Sequence, residues 1–513
     1  MITTQTRLAR ALSALWPDIE ALPGLTYADA PLALCLDSRA IADCPHAAVF
    51  IAVPGVNADG RRFIGQAQRA GAVWTLADAD QAEKGGEAER VFWLPALAER
   101  LGELGRLLFA VPASLTLIGV TGTNGKSSVT HYIAALSEAL GRPAGVVGTL
   151  GWGRPGELAD SGQTTPGALE LQAALGQMAE RGVERVAIEA SSHALTQQRL
   201  NGCRLAAAVY TNLSRDHLDY HGSMAAYAAA KARLFQRPEL QLAVVNGDDP
   251  LTRLMLAGLS PEVRVLASGT QEATTLRVLD WLPHATGQRA LIATPDGERA
   301  LELGLMGRFN LDNVLLAMAT LMGLGEDLDA LCAAAERLAP VPGRMQCLSR
   351  PGAPSVIVDY AHTPDALRHA LEALRAHLPG RDGGDSDHAG RLWCVFGCGG
   401  DRDSGKRALM GAAVEANADR WVITDDNPRS EDPGRIREQV LAGLSEPARE
   451  SAWCIAGRER AIARAIEAAG PDDVILIAGK GHETYQEIQG QRLAFSDCAC
   501  AESALARWRE DAS

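Results

Sequence analysis

The chain of 513 residues lacks features that mark several large classes of protein. No apolar run approaches the roughly 20 residues that a membrane-spanning helix needs. The first residues, M-I-T-T-Q-T-R-L-A-R-A-L, contain no continuous apolar stretch of the kind found in signal peptides. Lysine and arginine together number 49 against 63 acidic residues, a net charge of −14 that disfavours a nucleic-acid-binding surface. We therefore expect a cytoplasmic protein with no membrane span and no nucleic-acid partner.

Cysteine is present but carries no metal-binding pattern. None of the ten cysteines forms a C-x-x-C pair, and the nearest approaches to one are Cys394 with Cys398 and Cys498 with Cys500. Cys394 lies in an apolar run typical of a strand, and a reducing compartment disfavours disulfides. The cysteines are therefore expected to be reduced thiols, with neither a structural zinc site nor a disulfide.

The chain is too long for one hydrophobic core, and its pattern predicts an α/β protein with three domains. Residues 1–112 form a small α/β unit, residues 113–346 a central parallel-sheet domain, and residues 347–513 a further parallel-sheet domain that follows a Pro-Gly breaker cluster. Short apolar runs predict the strands, namely Ala48–Val53, Ala72–Leu76, Val91–Leu94, Arg185–Glu189, Ala206–Leu213, Leu242–Asn246, Ser355–Asp359, Leu392–Phe396, Arg420–Thr424 and Asp473–Ile477.

The segment Leu115–Thr130 predicts a phosphate-binding loop. It runs from an apolar strand through Gly122 and Gly125 into Lys126, Ser127 and a helical pattern. Glycines let backbone N–H groups turn toward phosphate oxygens, the helix adds its positive N-terminal dipole, the lysine supplies a charge, and the serine hydroxyl can ligate Mg²⁺. The expected ligand is a nucleoside triphosphate with magnesium. The alternative is a glycine turn that happens to precede an ordinary helix.

Polar clusters follow the predicted strands with a regularity that turns alone do not explain. The strand ends read G-T-N-G-K-S, E-A-S-S-H, T-N-L-S-R-D-H and V-N-G-D-D in the central part, and D-Y-A-H-T, G-C-G-G-D-R, T-D-D-N-P-R and A-G-K-G-H-E in the last part. Turn chemistry favours Gly, Asn and Asp, but it does not call for Lys, Arg, His and Glu. In open parallel sheets, ligands bind beyond the carboxyl ends of the strands, so these clusters are the candidate functional residues.

These motifs, together with G-R-F-N-x-x-N at 307–313, resemble those of the Mur ligases over nearly the whole chain and in the same order. Mur ligases are ATP-dependent enzymes that add amino acids to UDP-N-acetylmuramic acid during peptidoglycan synthesis. Within the family, D-D-N-P-R at 425–429 is similar to the members that add meso-2,6-diaminopimelate as the third residue. The family's phosphate loop also lacks the first glycine of the common motif, which accounts for Val120 at that position.

The resemblance implies a fold and a reaction. It implies an N-terminal UDP-sugar-binding domain, a central P-loop ATPase-like domain and a C-terminal Rossmann-like, amino-acid-binding domain in a monomer. ATP would phosphorylate the carboxylate of UDP-N-acetylmuramoyl-L-alanyl-D-glutamate, because a carboxylate oxygen is a poor leaving group, and the amine of diaminopimelate would attack the acyl phosphate. ADP and phosphate would be released.

The resemblance also assigns residues to ATP and to metal. Its nucleotide-binding residues are Gly122, Thr123, Asn124, Gly125, Lys126, Ser127, Ser128 and, near adenine, Asn310. Its magnesium ligands are Ser127, Glu189, His217 and Lys231, the lysine as a carbamate formed with carbon dioxide, and its catalytic residues are Lys126, Glu189, His217 and Lys231.

Plainer interpretations of four of these residues stay open from the residues alone. Glu189 is equally a capping carboxylate, and His217 a residue that bonds within its own turn. Lys231 has the pattern of a solvated lysine on an amphipathic helix, and Asn310 lies where a helix N-cap is expected.

For the UDP-sugar and its dipeptide, the resemblance points to turns in the first domain and polar residues in the second. Val56 and Asn57 stand where relatives often have polar residues such as His and Gln, so contacts there are expected through the backbone. An arginine and several hydroxyls suit a dianionic peptide, although ordinary loop polarity is the alternative for each residue. The full set is Leu36, Ser38, Val56, Asn57, Ala58, Thr164, Thr165, Ser191, Gln197 and Arg199.

The amino-acid pocket is where charge discriminates between substrates. Diaminopimelate differs from lysine by a second carboxylate, so a selective pocket needs an additional cation able to grip it, and Arg429 is that cation. A surface arginine after a turn proline is the alternative. The remaining residues of this pocket are Arg402 for a carboxylate, Asp426, Asn427, Gly479 and Glu483 for ammonium groups, and Pro428 within the same motif.

Two rival enzyme classes share parts of this pattern. A P-loop kinase or NTPase would use the same loop but would not need the charged strand ends of the last domain. A folylpolyglutamate synthetase-like ligase also makes amides through acyl phosphates, but the first 110 residues and D-N-P-R disfavour it. A nucleotide-binding module without catalysis is a further alternative.

Overall fold

The computed structural model describes residues 1–18, 25, 29–55, 58–79, 90–378 and 390–508. The chain divides into two compact units, the first comprising Met1–Val245 with Asp249–Leu266 and the second Asn246–Asp248 with Ala267–Ser513. Both units contain parallel sheets with helices, so the predicted α/β class is confirmed. The three predicted domains, 1–112, 113–346 and 347–513, stay a prediction. No helix among the described residues combines the length and apolar character that crossing a membrane requires.

The N-terminal part of the first unit is a five-stranded sheet in the order β1-β2-β3-β4-β5. Strand β1 pairs antiparallel at one edge, and the other pairs are parallel. Its core contains the apolar residues of the middle strands, with Phe50 and Ala52 fully buried. The elements are β1 (Ile2–Thr4), α1 (Gln5–Leu15), β2 (Pro31–Cys35), β3 (Ala47–Ala52), α2 (Ile64–Arg69), β4 (Ala72–Asp78), β5 (Val91–Leu94) and α3 (Leu97–Leu108).

The first unit continues into a larger sheet whose strands follow the order β12-β11-β6-β10-β7-β8-β9. From β12 to β7 the strands are parallel, and they are buried runs of apolar residues, as expected when helices cover both faces. Strands β8 and β9 extend the sheet antiparallel. The elements are β6 (Thr116–Thr121), α4 (Lys126–Ala139), β7 (Ala144–Gly148), β8 (Gly151–Arg154), β9 (Glu157–Ala159), α5 (Ala168–Glu180), β10 (Arg185–Glu189), α6 (Ser192–Thr196), β11 (Leu205–Tyr210), α7 (Leu218–His221), α8 (Met224–Ala232), β12 (Leu242–Asn246) and α9 (Thr252–Met255).

Helix α3 packs closely against α5 and the loop before β11. Two glycines of α3 allow this approach, because a Cβ added at Gly102 would lie 1.6 Å from the carbonyl oxygen of Asn201, and one at Gly105 would lie 2.9 Å from the Cβ of Gln172. The Thr3 hydroxyl donates to the Leu108 carbonyl at 3.0 Å and joins β1 to the end of α3. The N-terminal sheet is therefore attached to the larger sheet by a packed interface.

The second unit begins with strands that pair mainly as an antiparallel meander. Strand β15 pairs antiparallel with both β14 and β16, and two helices follow. Strand β15 alternates exposed and buried side chains, so one face is solvated. The elements are β13 (Arg264–Gly269), whose first three residues belong to the first unit, and β14 (Leu276–His284), β15 (Gly287–Thr294), β16 (Gly297–Leu303), α10 (Arg308–Gly323) and α11 (Leu328–Ala335).

The remainder of the second unit is a six-stranded sheet in the order β17-β18-β22-β19-β20-β21. All pairs are parallel except that of β17 with β18, and a separate apolar cluster packs on each face. All ten cysteines of the chain have free thiols. The elements are β17 (Gln346–Leu348), β18 (Ser355–Asp359), α12 (Pro364–Arg375), β19 (Leu392–Phe396), α13 (Gly405–Asn417), β20 (Arg420–Ile423), α14 (Pro433–Leu441), α15 (Glu446–Ser451), β21 (Trp453–Cys454), α16 (Arg458–Ala468), β22 (Val474–Ala478), β23 (Tyr485–Ile488), β24 (Gln491–Ala494) and α17 (Asp497–Arg507).

Candidate functional site

The loop between β6 and α4 contains two glycine turns and leads directly into the N-terminus of a helix. Gly122 has a φ of +153° and Gly125 a φ of +82°, values that residues with a side chain rarely adopt. A Cβ added at Gly122 would lie 1.9 Å from the hydroxyl oxygen of Thr211, so the site admits only glycine. Helix α4 begins at Lys126, immediately after the second glycine. The N–H groups of its first turn and its positive dipole therefore lie at the loop.

The Lys126 side chain folds back over this loop. Its ammonium donates to the carbonyl oxygens of Gly122 at 2.9 Å and Thr123 at 2.8 Å. Ser127 and Ser128, the next two residues of α4, are both buried. The loop thus places a flexible cation and the Ser127 hydroxyl in the first turn of one helix, the arrangement predicted from the sequence.

Residues that follow β11 hold the loop in place. The Thr211 hydroxyl donates to the Asn124 carbonyl at 2.5 Å. The Asn212 side chain accepts from the Asn124 amide at 3.1 Å and donates to its carbonyl at 3.2 Å. The Thr123 hydroxyl lies 3.2 Å from the Tyr227 hydroxyl. These bonds fix the loop backbone before any ligand binds, which lowers the entropy cost of binding.

Lys231, on α8, reaches the same loop from the other side. Its side chain is only 1% exposed, and its ammonium donates to the Gly122 carbonyl at 2.7 Å. The nitrogen also lies 4.6 Å from the centre of the Tyr227 ring. Burial, and then the nearby Lys126 ammonium, hold the pKa of Lys231 well below its usual range, while Asp216 opposes the shift. Lys231 is therefore not the solvated lysine that its helix pattern allowed.

Glu189 is buried at the end of β10. One carboxylate oxygen accepts from the Thr149 amide at 2.9 Å and the other from the Thr149 hydroxyl at 3.3 Å. The N-cap of the next helix, α6, is Ser191, whose hydroxyl accepts from the Ala194 amide. Glu189 therefore does not cap α6, although it does accept from a backbone amide, and both of its carboxylate oxygens bond to neutral groups of Thr149.

Five of the residues predicted for the muramoyl dipeptide lie along connected hydrogen bonds. Arg199 donates to the Thr165 carbonyl at 2.7 Å and to the Gln197 side-chain oxygen at 2.7 Å. The Thr165 hydroxyl accepts from the Ser191 amide at 3.2 Å and donates to the Glu189 carbonyl at 2.5 Å. The Thr164 hydroxyl lies 3.1 Å from that of Thr149. Strand β10 thus leads directly from the carboxylate of Glu189 to a group of hydroxyls and a guanidinium.

His217 occupies an exposed, left-handed position at the start of α7, with a φ of +52°. Its amide donates to the Asp216 carboxylate at 2.9 Å, so bonding within its own turn does occur. Its ring lies 4.9 Å from that of His193, edge to face. The imidazole therefore lies close to the residues that follow β10, and a local bond does not exclude a role in binding.

Sequence reasoning missed the aromatic cluster around His217. The His193 ring lies 4.1 Å from the Tyr220 ring, and His221 Nε2 lies 2.9 Å from the Ser192 hydroxyl. Burial, followed by neighbouring positive charge, lowers the pKa of both His193 and His221. Both histidines lie in motifs noted in the sequence, His193 in E-A-S-S-H and His221 in D-H-L-D-Y-H. Neither motif alone shows that the two side chains lie close together in the fold.

The donors present suit magnesium that arrives with a nucleotide. Within the described part of the chain, no three His, Cys, Asp or Glu residues lie close enough to hold a metal by themselves. Magnesium is usually bound by one or two carboxylates together with water and substrate phosphates. A buried carboxylate with neutral partners at Glu189 and a hydroxyl at Ser127 fit that mode, and His217 would be a less usual ligand.

The candidate uridine-binding turn after β2 is well formed. Asp37 caps the short helix Ser38–Ala40 and accepts from the Arg39 amide at 2.9 Å. The Arg39 guanidinium pairs with the same carboxylate at 2.7 Å and lowers the pKa of Asp37 to about 2. Ser38 is buried and Leu36 is half-buried.

The second candidate turn in this region is described in part. Val56 and Asn57 lie outside the described residues, so the structure does not place them. Ala58 is exposed, and Asp59 after it caps the short helix Gly60–Phe63 by accepting from the Arg61 amide at 3.0 Å.

Asn310 lies in the second unit, near the start of α10. The helix begins at Arg308 and its N-cap is Gly307, so the capping role considered for Asn310 is wrong. Its side chain is buried and donates to the Met306 carbonyl at 2.8 Å. A contact with adenine stays a prediction.

Two loops of the second unit meet where diaminopimelate was predicted to bind. The Gly400 amide donates to the Asn427 carbonyl at 2.9 Å, and Arg429 donates from its guanidinium to the Gly400 carbonyl at 2.7 Å. The Arg429 Nε lies 3.4 Å from a Glu487 carboxylate oxygen, and its side chain is 24% exposed. Arg402 lies exposed on the loop that carries Gly400. Arg429 is therefore half-buried among partners, not free on the surface, which disfavours the simple surface interpretation.

The loops after β20 and β22 supply the other predicted residues. Pro428 is buried between Asn427 and Arg429. Gly479 directly follows β22, and a Cβ there would lie 2.7 Å from an Asp426 carboxylate oxygen. The Asn427 amide nitrogen donates to Glu483 at 2.8 Å. The predicted residues of the D-D-N-P-R and A-G-K-G-H-E motifs are thus brought together.

Further residues that the sequence did not single out hold these two loops. Arg458 on α16 and Asp497 on α17 form an ion pair at 2.7 Å, with both side chains fully buried. The same guanidinium donates to the Asp425 carbonyl at 3.3 Å and the Ala478 carbonyl at 2.9 Å, which joins the ends of β20 and β22. In the sequence, Arg458 and Asp497 look like ordinary polar positions of amphipathic helices.

The sequence is similar to two domains of a known protein family and to named relatives. Residues 120–321 match the Mur ligase middle domain, and residues 343–481 match the Mur ligase glutamate ligase domain. A relative from Pseudomonas syringae pv. tomato, named UDP-N-acetylmuramoyl-L-alanyl-D-glutamate–2,6-diaminopimelate ligase, is 45% identical over 482 residues. The match covers 93% of this chain and 95% of the relative.

Solved structures agree at the level of the fold. A structure of UDP-N-acetylmuramoyl-L-alanyl-D-glutamate–2,6-diaminopimelate ligase matches with a TM-score of 0.71 at 36% identity, covering 96% of this chain and 98% of that one. A Mycobacterium tuberculosis folylpolyglutamate synthase complexed with ADP matches with a TM-score of 0.59 at 22% identity, covering 74% of this chain and 91% of that one. The second match shows a shared fold alone.

Proposed function

The chain belongs to the Mur ligase family, and on that premise we propose that it is the ATP-dependent ligase that joins meso-2,6-diaminopimelate to UDP-N-acetylmuramoyl-L-alanyl-D-glutamate. The structural observation that carries the proposal is the glycine loop before α4, where the Lys126 and Lys231 side chains both bond to the Gly122 carbonyl. Lys126 supplies a positive charge that suits the transfer of a highly charged phosphoryl group.

The reaction forms an amide from a carboxylate and an amine. The γ-carboxylate of the D-glutamyl residue attacks the γ-phosphorus of ATP, so that an acyl phosphate forms and ADP leaves. The diaminopimelate amine, in its neutral form, then attacks the acyl carbon. Phosphate leaves with the electron pair of the broken C–O bond, and the amine loses its proton.

The first unit would bind ATP at the loop between β6 and α4. Backbone N–H groups and the α4 dipole would hold the β- and γ-phosphates, and Lys126 would exchange its carbonyl partners for phosphate oxygens. Magnesium, when bound, would neutralise phosphate charge, with Ser127, Glu189 and His217 as its protein-side donors.

Lys231 would act as a carbamate. Its neutral amine would attack carbon dioxide, a new N–C bond would form, and a proton would leave to solvent. Burial and the neighbouring Lys126 charge favour the neutral amine that this step needs. The product is an anion beside the Lys126 ammonium, and its oxygens would be available to a second magnesium.

The muramoyl dipeptide would lie along the residues that follow β10. Arg199 and the hydroxyls of Thr165 and Ser191 form one hydrogen-bonded group directly beyond Glu189. A guanidinium and hydroxyls suit carboxylates of the peptide. The uridine would be held by the first turns of the chain, around Ser38 and Ala58.

The second unit would bind diaminopimelate at the two loops after β20 and β22. Arg429 would pair with the distal carboxylate, and Glu483 and Asp426 would face ammonium groups. The same chemistry explains why lysine, which lacks that carboxylate, would be a poor substrate.

Phosphate release tests the proposal most directly. The purified protein is supplied with ATP, magnesium, UDP-N-acetylmuramoyl-L-alanyl-D-glutamate and each of a panel of amino acids. We expect phosphate release only when the dipeptide and diaminopimelate are both present. Release with a folate substrate and glutamate would favour a folylpolyglutamate synthetase-like ligase, and release independent of an amine would favour a kinase or NTPase. Because ATP and nucleotide-linked sugars are cytoplasmic substrates, we place the reaction there, and we expect a monomer by light scattering.

A further inference from the structure

Lysine is scarce in this chain, and three of its lysines lie buried or at the glycine loop before α4. Of the 49 Lys and Arg residues only five are lysine, namely Lys84, Lys126, Lys231, Lys406 and Lys480. Lys126 and Lys231 both contact the phosphate loop. Lysine carries a compact ammonium and arginine a planar guanidinium, so a buried lysine and an arginine hold their partners in different geometries.

Lys480 is a buried lysine that has no role in the function proposed above. It follows β22, in the loop between Gly479 and Glu483, and its side chain is fully buried. Its ammonium donates to the Asn427 side-chain oxygen at 2.9 Å and to a Glu483 carboxylate oxygen at 2.7 Å. A buried cation with two side-chain acceptors fixes the positions of both.

The contact determines which way the Asn427 amide points. An ammonium and a backbone N–H can only donate, and both Lys480 and the Glu487 amide lie 2.9 Å from the same Asn427 oxygen. The amide nitrogen must therefore face away from Lys480, and it donates one hydrogen to Glu483 at 2.8 Å. The acceptor oxygen is saturated, and one N–H remains as the group that Asn427 can offer to a ligand.

The same ammonium also orients Glu483. Both recorded bonds, from Lys480 and from the Asn427 amide, go to one carboxylate oxygen, Oε2. The other oxygen, Oε1, accepts no hydrogen bond from the described residues and is available to a ligand, and the charge of the carboxylate is partly balanced by Lys480. The pair then presents a donor at Asn427 and an acceptor at Glu483, side by side, which matches the carboxylate and ammonium carried by one carbon of an amino acid.

We propose that Lys480 is a positioning residue for amino-acid binding, because it holds the Asn427 amide and the Glu483 carboxylate in the orientation that an amino acid needs. The inference rests on the proposed function, since it takes the amino acid to bind beside Asn427 and Glu483. It also reverses one expectation drawn from the sequence, that Asn427 accepts a hydrogen bond from an ammonium group.

The test compares Lys480→Met and Asn427→Asp with wild type in the phosphate-release assay. For Lys480→Met we expect the KM for diaminopimelate to rise about tenfold or more, as the loss of charge-assisted bonds implies, while the KM for ATP is unchanged. The matched control is Arg492→Met, which also removes a cation close to Tyr485. The Arg492 guanidinium lies 4.6 Å from the Tyr485 ring and the Lys480 ammonium 5.5 Å from it, but Arg492 is exposed whereas Lys480 is buried. This variant should keep the wild-type KM.

Asn427→Asp tests the orientation of the Asn427 amide, on which the proposal depends, even if Lys480→Met fails to fold. The aspartate keeps an acceptor toward Lys480 but replaces the N–H with a negative oxygen. We expect a rise of about tenfold or more in the KM for diaminopimelate, because an anion would then face a carboxylate. A lower KM would mean that Asn427 accepts an ammonium, and the proposal would be overturned.

Two further outcomes keep the inference separate from the proposed function. If wild type releases no phosphate with diaminopimelate, the proposed function itself fails. If wild type is active and Lys480→Met folds, as judged by its melting temperature, but keeps the wild-type KM for diaminopimelate, the function stands and the positioning role is refuted. A partial return of the low KM in Lys480→Arg would support a role for charge together with geometry.

Discussion

Replacing Arg429 with alanine should remove most of the preference for diaminopimelate over lysine. The guanidinium donates one hydrogen bond to the Gly400 carbonyl at 2.7 Å, and its Nε lies 3.4 Å from a Glu487 carboxylate oxygen. The remaining donors are available for a carboxylate. The Arg429 amide donates to the Glu487 carbonyl, and the Arg429 carbonyl accepts from the Gln489 amide. These backbone hydrogen bonds do not involve the side chain and should persist in the variant.

The size of the effect follows from what the variant leaves behind. Removing one partner of a partly buried charge pair costs about 2–4 kcal/mol, which corresponds to roughly 30- to 700-fold in kcat/KM for diaminopimelate. The upper part of that range is expected, because the carboxylate of Glu487 remains beside the unpaired substrate carboxylate. Lysine carries no distal carboxylate, so its low kcat/KM should stay nearly constant and the ratio between the two amino acids should narrow.

The assay is phosphate release at saturating ATP and UDP-N-acetylmuramoyl-L-alanyl-D-glutamate, with each amino acid varied in turn. Arg420→Ala is the matched control, because Arg420 is an exposed arginine at the opposite end of β20, and its ratio should equal that of wild type. If the ratio in Arg429→Ala is unchanged while both activities fall together, Arg429 is a structural or general catalytic residue. Its assignment to diaminopimelate selection would then be withdrawn.

Three more predictions concern the phosphate loop. Lys126→Ala should abolish ATP-dependent ligation, since it removes the side-chain charge on the β- and γ-phosphates, and near-normal turnover would contradict the loop assignment. Gly122→Ala should lose nucleotide binding in calorimetry because its Cβ would lie 1.9 Å from the Thr211 hydroxyl, whereas Gly65→Ala, with no atom within 4 Å, should bind normally. Lys231→Ala should be nearly inactive, and short carboxylates that replace the carbamate should restore part of the activity. Mass spectrometry of the wild-type protein in bicarbonate tests for the modification directly. The carbamate would be refuted if the rescue fails and the wild-type lysine is unmodified.

The parallel strands could be predicted from the sequence because they are buried on both faces and read as continuous apolar runs. The predicted strands Val91–Leu94, Arg185–Glu189, Leu242–Asn246, Ser355–Asp359 and Leu392–Phe396 are confirmed residue for residue. The meander β14 to β16 was not predicted, since its strands alternate exposed and buried side chains and carry no polar cluster at their ends.

In the candidate site, too, features set by neighbouring residues could be predicted from the sequence, and contacts between distant segments could not. The turn at Gly122 and Gly125 is encoded within a few residues, so the loop was predicted together with its helix. The burial of Lys231 depends on how α8 meets the loop after β6, and the pairing of Lys480 with Asn427 joins two loops about fifty residues apart. Neither follows from spacing along the chain, because each side chain is defined by a partner that only the fold supplies.

The close packing of α3 on α5 has a consequence for dissecting and recombining this protein. A fragment that ends near residue 112 would carry α3 with Gly102 and Gly105 facing water, although both glycines serve to admit a neighbouring backbone or side chain. Such a fragment is expected to aggregate or to melt well below the intact protein. Exchange of the N-terminal segment between relatives would likewise need the matching surface of α5 and the Asn201 loop, so the practical unit of exchange is larger than the N-terminal sheet.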